Sequence, residues 1–161
     1  MNNPAFIETR HLKKYFKTPK GSLHAVDDIS LTIAKGETLG VVGESGCGKS
    51  ITSLSIMGLV ERPGKIEGGE ILFEGEDLLK MTEAQMRNIR GKKIAMIFQE
   101  PMTALNPVFR IGDQVDEVLA LHNEKGHDEA QIKARTIELL EMVGIANSEG
   151  VYKMFPHELS G

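Results

Sequence analysis

The pattern of apolar and polar positions divides the chain into a β-rich first half and a helical second half. Residues 29–33 alternate apolar and polar side chains, and residues 70–74 do so less cleanly, which is typical of half-buried antiparallel strands. Residues 38–42 and 93–98 are short, continuous apolar runs, the pattern of strands buried on both faces of a parallel sheet. The sequence therefore predicts an antiparallel β layer and a central parallel sheet.

After Pro107 the apolar residues recur at helical spacing. Asp128 is a candidate N-cap with Gln131 three residues later, and Gly144 stands where a helix end favours positive φ. We therefore expect one helix over roughly residues 129–143. The sequence has no internal repeat and no long Gly/Ser linker, so we expect one continuous unit.

Composition and net charge limit the classes of protein and of partner that are possible. The 161 residues are 40% hydrophobic, which is enough to bury a core, and the net charge of -4 does not favour broad nucleic-acid binding. The apolar runs are too short to cross a bilayer, and the first residues lack a signal-peptide pattern. The single cysteine, Cys47, forms no internal disulfide. We expect a soluble protein of the cytoplasm.

One contiguous motif carries the chemistry. The pattern G-x-x-x-x-G-K-[ST] is matched by Gly43, Glu44, Ser45, Gly46, Cys47, Gly48, Lys49 and Ser50. Glycines let the backbone N–H groups of such a loop wrap a polyphosphate closely. Lys49 is expected to reach the β- and γ-phosphates and Ser50 to offer its hydroxyl to Mg²⁺, while a helix over residues 49–60 adds its dipole. The alternative is a glycine-rich turn without a ligand.

Two further segments narrow the family. Residues 94–101 place Gln99 directly after a predicted strand, and the last residues read Phe-Pro-His-Glu-Leu-Ser-Gly. With the phosphate loop, these segments resemble the nucleotide-binding domain of ABC transporters. Residues 40–50, 98–107 and 156–161 look more narrowly like the dipeptide/oligopeptide importer branch. The resemblance covers nearly the whole chain.

The resemblance implies an α/β P-loop NTPase fold. Its parts are an N-terminal antiparallel β layer, an incomplete parallel core sheet and a helical subdomain, in one partial domain over residues 1–161. The β layer and phosphate-loop core are expected over about residues 1–101, and the helical subdomain over about residues 102–161.

The resemblance also assigns residues beyond the phosphate loop. Gln99 matches the Q-loop residue, which touches Mg²⁺ and has a catalytic role, and Ser160 and Gly161 match the opening of the signature motif. Phe16 is expected to stack on adenine, with Tyr15 as the alternative because the register is uncertain. Ile51 replaces a residue that is commonly Ser or Thr, so only its backbone N–H would serve the α-phosphate.

The function implied by the resemblance is ATP binding and hydrolysis coupled to the import of di- or oligopeptides, with ATP and Mg²⁺ as cofactors. The expected partners are a second nucleotide-binding domain, identical or different, packed head to tail, and integral-membrane permease subunits. Nucleic acid is not expected. This arrangement places the protein at the inner face of the cell membrane.

In this family the Walker B Asp, the catalytic Glu and the H-loop His follow the signature, and nothing in the 161 residues matches them. We therefore expect these residues alone to bind nucleotide without turning it over. Two alternatives stay open from the sequence: an ABC-type ATPase acting on nucleic acid or in translation, and a non-catalytic nucleotide-binding module.

Overall fold

The computed structural model describes residues 5–59, 63–99, 104–123 and 125–159. The chain divides into two compact units, Met1–Arg90 and Gly91–Gly161. The first unit carries the antiparallel sheet and the segment of the phosphate loop, and the second carries three α-helices among its described residues. The boundary expected near residue 101, between the phosphate-loop core and the helical subdomain, stays a prediction.

The first unit is built on a four-stranded antiparallel sheet with the strand order β2-β1-β3-β4. The strands are β1 (Ala5–Thr18), β2 (Gly21–Ala34), β3 (Gly64–Phe73) and β4 (Glu76–Asp77). The alternating segment 29–33 lies in β2, and residues 70–73 of the segment 70–74 lie in β3, which ends before Glu74. The predicted N-terminal β layer is therefore confirmed.

Irregularities interrupt the pairing of β1 with both of its neighbours near His11. The pairing register shifts in β1 between Thr9 and Leu12 on the β2 side and between Arg10 and Lys13 on the β3 side. His11 has a positive φ of 49°, and its backbone N–H donates to the Ser30 hydroxyl at 2.9 Å. Such extra residues increase the local twist of a sheet.

Two helices accompany the sheet in the first unit, α1 (Lys49–Ile56) and α2 (Glu83–Ile89). A capping box holds the start of α2, because the Thr82 side chain accepts from the Gln85 N–H and the Gln85 side chain accepts from the Thr82 N–H. The buried apolar residues of this unit come from both the sheet and the helices: Leu12, Val26, Met57, Ile71, Phe73, Leu78, Met86 and Ile89.

The second unit contains α3 (Ile111–Leu121), α4 (Glu129–Met142) and α5 (Ser148–Tyr152). Asp128 caps α4 in a capping box with Gln131, and Gly144 has a φ of 83° after its end. The predicted helix over residues 129–143 is therefore confirmed. The apolar core of the second unit consists of Ile111, Leu140 and Val151, packed against Ile145, Tyr152, Met154 and Leu159. No helix in the described part of the chain is long and apolar enough to span a bilayer.

A polar network connects α3, α4 and α5 of the second unit. The carboxylate of Asp116 on α3 accepts hydrogen bonds from the Thr136 hydroxyl on α4 and, at 2.5 Å, from the Tyr152 hydroxyl on α5. The hydrogen bond to Asp116, followed by burial, raises the pKa of Tyr152 to about 12. The network satisfies Thr136, whose side chain is fully buried.

The two apolar runs predicted as central strands do not form strand ladders among the described residues. Residues 38–42 and 95–98 are assigned neither strand nor helix, and Val42 and Ile97 are 94% and 95% exposed. The Gly91 N–H donates to the Ile94 carbonyl at 2.9 Å, which closes a turn before the second run. A run of apolar residues indicates that burial is favourable. A strand also needs a neighbouring strand that pairs with its backbone N–H and C=O groups.

Candidate functional site

The predicted phosphate loop folds around the ammonium of its own lysine. Lys49 Nζ donates to the carbonyl oxygens of Gly43 and Glu44, each at 2.7 Å, and lies 3.5 Å from Cys47 Sγ. These contacts hold the ammonium against the backbone of the loop. The Lys49 ammonium thus lies inside the loop, where an incoming anion would meet it.

Gly48 closes this loop and precedes α1. Its φ is +95°, and a Cβ at this position would lie 2.4 Å from the carbonyl oxygen of Ala25 in β2. Both the positive φ and the close backbone approach exclude a side chain. Val26 Cγ2 would lie 3.9 Å from the same Cβ position, so the loop packs directly on β2.

The start of α1 presents backbone donors and one hydroxyl. The first N–H groups of a helix have no partner within it, and they lie at the positive end of its dipole. Ser50 is exposed in this first turn, while the Thr52 hydroxyl donates to the Gly48 carbonyl at 3.0 Å. The described part of α1 ends at Ile56, so it is shorter than the predicted helix over residues 49–60.

Arg90 anchors the other end of α1, a role that sequence reasoning missed. Its guanidinium donates to the carbonyls of Met57 at 2.7 Å and Gly58 at 3.2 Å, and it pairs with Glu83 at 2.6 Å. The side chain of Arg90 is only 19% exposed. Cations favour the carbonyl end of a helix, so this contact helps to fix the direction of α1. No spacing in the sequence signals it, because the partners are more than 30 residues away.

The two candidate base-stacking aromatics have different neighbours. The Tyr15 ring stacks on His24, with centroids 3.8 Å apart and planes 8° from parallel, and its hydroxyl donates to Asp27 at 2.7 Å. That hydrogen bond raises the pKa of Tyr15. The half-buried Phe16 ring instead has the Lys14 ammonium 5.1 Å from its centroid. Tyr15 is thus engaged by other side chains, which favours Phe16 as the ring available to a base.

Lys14 is the unusual residue of this sheet. Its side chain is 0% exposed, and Nζ has no hydrogen-bond partner among the described residues. Burial lowers the pKa of Lys14, against the opposing effect of the Glu67 charge. Lys14 pairs with Val26 in the β1–β2 register. The side chain of Val26 in turn approaches the loop, since its Cγ2 would lie 3.9 Å from a Cβ on Gly48.

The remaining predicted residues are not assembled into the site by the described contacts. Gln99 is exposed in the second unit, and Ile51 is partly buried in α1. Ser160 and Gly161 lie outside the described residues. The sequence-based roles of these four residues therefore stay predictions.

Comparison with known proteins gives consistent results. A protein-family model described as "ABC transporter" matches residues 26–161. The oligopeptide transport ATP-binding protein AppD of Bacillus subtilis is 51% identical over 156 residues, which are 96% of this chain and 47% of AppD. The dipeptide transport ATP-binding protein DppD of Haemophilus influenzae is 45% identical over 157 residues, 98% of this chain and 47% of DppD. The chain spans about half the length of these curated relatives.

Solved structures share the fold. The dimeric structure of MJ0796, a bacterial ABC transporter cassette, matches with a TM-score of 0.83 at 24% identity and covers 96% of this chain and 63% of that one. A second dimeric structure of MJ0796, in a post-hydrolysis state bound to ADP and Pi, matches with a TM-score of 0.80 at 21% identity over the same shares of the two chains.

Proposed function

The chain belongs to the ABC transporter family, and from this premise we propose that it is the nucleotide-binding part of an ATP-binding subunit for peptide import. The complete subunit would couple ATP binding and hydrolysis to the transport of di- or oligopeptides across the cytoplasmic membrane. The names of AppD and DppD, both transport ATP-binding proteins for peptides, support the choice of substrate class.

The contact of Lys49 with its own loop is the observation that carries the proposal. Its ammonium donates to two loop carbonyls, contacts that a phosphate oxygen would replace with a stronger, charge-assisted hydrogen bond. The N–H groups of the loop and of the first turn of α1, including that of Ile51, supply further donors. The described residues of the loop, Gly43 to Ser50, thus fit the triphosphate of ATP.

Ser50 is the residue of the loop that we propose to hold Mg²⁺, through its hydroxyl oxygen, since this ion prefers oxygen ligands. Mg²⁺ would neutralise part of the charge of the phosphates. Phe16 would stack on adenine, since Tyr15 is occupied by His24 and Asp27.

The proposed assembly has two nucleotide-binding domains packed head to tail, with Ser160 and Gly161 of each completing the site of the other. The two MJ0796 structures, both described as dimeric, support the association of two such domains. Membrane permease subunits would bind near Gln99, so the protein would lie at the inner face of the cell membrane.

We propose further that the 161 residues alone do not turn ATP over. Hydrolysis needs a carboxylate that positions the attacking water, and no residue of this sequence matches the family's Walker B Asp or catalytic Glu. The chain would therefore bind nucleotide without hydrolysing it.

Calorimetric titration with Mg²⁺-ATP tests the proposal, with Lys49→Ala as the variant and Lys35→Ala as a control that loses the same charge outside the loop. Loss of the Lys49 contacts should weaken binding about 10- to 100-fold, while Lys35→Ala should bind like the wild type. Absence of binding by folded wild-type chain at millimolar ATP refutes the proposal. Lys49-dependent phosphate release at steady state would refute only the claim of no turnover.

A further inference from the structure

Burial of the Lys14 ammonium costs free energy, and packing within β1 gives no reason for a lysine at this position. Its side chain is fully buried, and its ammonium finds no hydrogen-bond acceptor among the described residues. Burying an ammonium without a paired acceptor is unfavourable, and an apolar side chain of the same length would avoid the cost. A lysine at this position therefore needs a reason other than packing of the sheet.

The surroundings of the ammonium point to the Phe16 ring. Lys14 Nζ lies 5.1 Å from the ring centroid, within the range of a cation–π contact. A Cβ on Gly64 in β3 would lie 2.6 Å from Lys14 Nζ and 2.6 Å from Phe16 Cε1. Both side chains thus lie together over one glycine, and the absence of a side chain at Gly64 makes room for the pair.

We infer that Lys14 is a positioning residue for the Phe16 ring and, through this ring, a determinant of how tightly the chain holds the base of a nucleotide. The inference rests on the proposed function. The ammonium occupies one face of the ring, so a base stacks on the opposite face. A ring held in this way loses less freedom when the base arrives, which increases affinity without any new contact to the ligand.

This role separates base binding from phosphate binding. The phosphates are assigned to the loop around Lys49, whereas Lys14 acts only on the aromatic ring in β1. Loss of the Lys14 ammonium should therefore weaken binding of ATP and leave binding of a triphosphate without a base unchanged. A structural role in the sheet alone would weaken both ligands together, or neither.

The test measures the affinities of Mg²⁺-ATP and of Mg²⁺-tripolyphosphate for the same chain by calorimetry. For Lys14→Met we expect the ATP affinity to fall about three- to tenfold and the tripolyphosphate affinity to change less than about twofold. Gly64→Ala displaces the same ring and ammonium and should give the same selective loss. Lys17→Met, which removes an exposed charge from the same strand, should change neither affinity.

Thermal unfolding excludes misfolding as the cause of a lost affinity. Lys14→Met removes a buried ammonium without an acceptor, so its melting temperature should equal or exceed that of the wild type. A variant that melts higher and binds ATP less tightly supports a positioning role. Equal loss of both ligands in Lys14→Met, or no loss of ATP affinity, overturns the inference.

Phe16→Ala separates the inference from the function on which it rests. If Phe16→Ala lowers ATP affinity selectively and Lys14→Met does not, the inference alone is wrong. If Phe16→Ala leaves the ratio of the two affinities unchanged, the proposed base platform is wrong and the inference with it. If the wild type binds neither ligand, the proposed function itself fails.

Discussion

Alanine substitutions at one glycine before the phosphate loop and at two glycines within it should separate backbone strain from steric conflict. Gly40 has an ordinary φ and nothing within 4 Å of an added Cβ among the described residues. Gly46 has the same space but a φ of +82°, and Gly48 combines a φ of +95° with a Cβ position 2.4 Å from the Ala25 carbonyl oxygen. The three sites thus add one cost at a time.

The expected losses in the free energy of unfolding follow from these geometries. Gly40→Ala should range from no change to about 1 kcal/mol of stabilisation, because it only restricts the unfolded chain. Gly46→Ala should lose about 1–2 kcal/mol, the cost of a left-handed conformation with a Cβ. Gly48→Ala should lose about 2–5 kcal/mol, since the conflict with a strand backbone adds about 1–3 kcal/mol. That is a large share of a typical domain stability of about 5–15 kcal/mol.

Urea unfolding followed by circular dichroism measures these losses, with equal m-values as the condition for comparison. Circular dichroism is suitable because the chain has no tryptophan. The reasoning is refuted if Gly48→Ala is as stable as Gly46→Ala, because the Ala25 carbonyl would then impose no additional cost. It is refuted as well if Gly40→Ala loses as much as Gly46→Ala, since the sign of φ would then be irrelevant.

Two further predictions concern the second unit. In a Tyr15→Phe background, where Tyr152 is the remaining tyrosine, Asp116→Asn should lower the pKa of Tyr152 from about 12 towards 10, measured by tyrosinate absorbance. Because the pKa of Tyr152 is raised in the folded state, the Asp116–Tyr152 contact stabilises the fold fully below about pH 10 and less as pH rises towards 12. If Tyr152 titrates in the Asp116→Asn variant as it does with Asp116 present, this reasoning is contradicted. Asp128→Ala should cost about 1 kcal/mol in urea unfolding, whereas Asp128→Ser keeps a capping oxygen and should cost less; equal losses would show that the cap is not the cause.

Short-range features of the structure were accessible from the sequence. The capping box of Asp128 and Gln131 and the positive φ of Gly144 depend on residues within one or two helical turns. The antiparallel strands around residues 29–33 and 70–74 follow from alternation of side chains on two faces. For the helix cap and its end, the residues that decide the conformation are neighbours in the chain, whereas alternation gives only the faces of a strand.

The apolar runs at residues 38–42 and 93–98 show where such reasoning stops. Their composition reports that burial is favourable, but the partner that would cover them is a property of the whole fold. In the described residues both runs keep exposed side chains, such as Val42 and Ile97. The identities of the residues determine the preference for burial, and the pairing determines whether a strand forms.

The sequence by itself determined where the predicted phosphate loop lies, because Lys49, Ser50 and three glycines fall within eight consecutive positions. Tertiary structure alone decided that Gly48 meets Ala25, that Arg90 anchors α1 and that Lys14 is buried beside Phe16 over Gly64. Most of these contacts join residues 20 to 50 positions apart. Their geometry depends on strand register and helix direction, which are set by the packing of the unit as a whole.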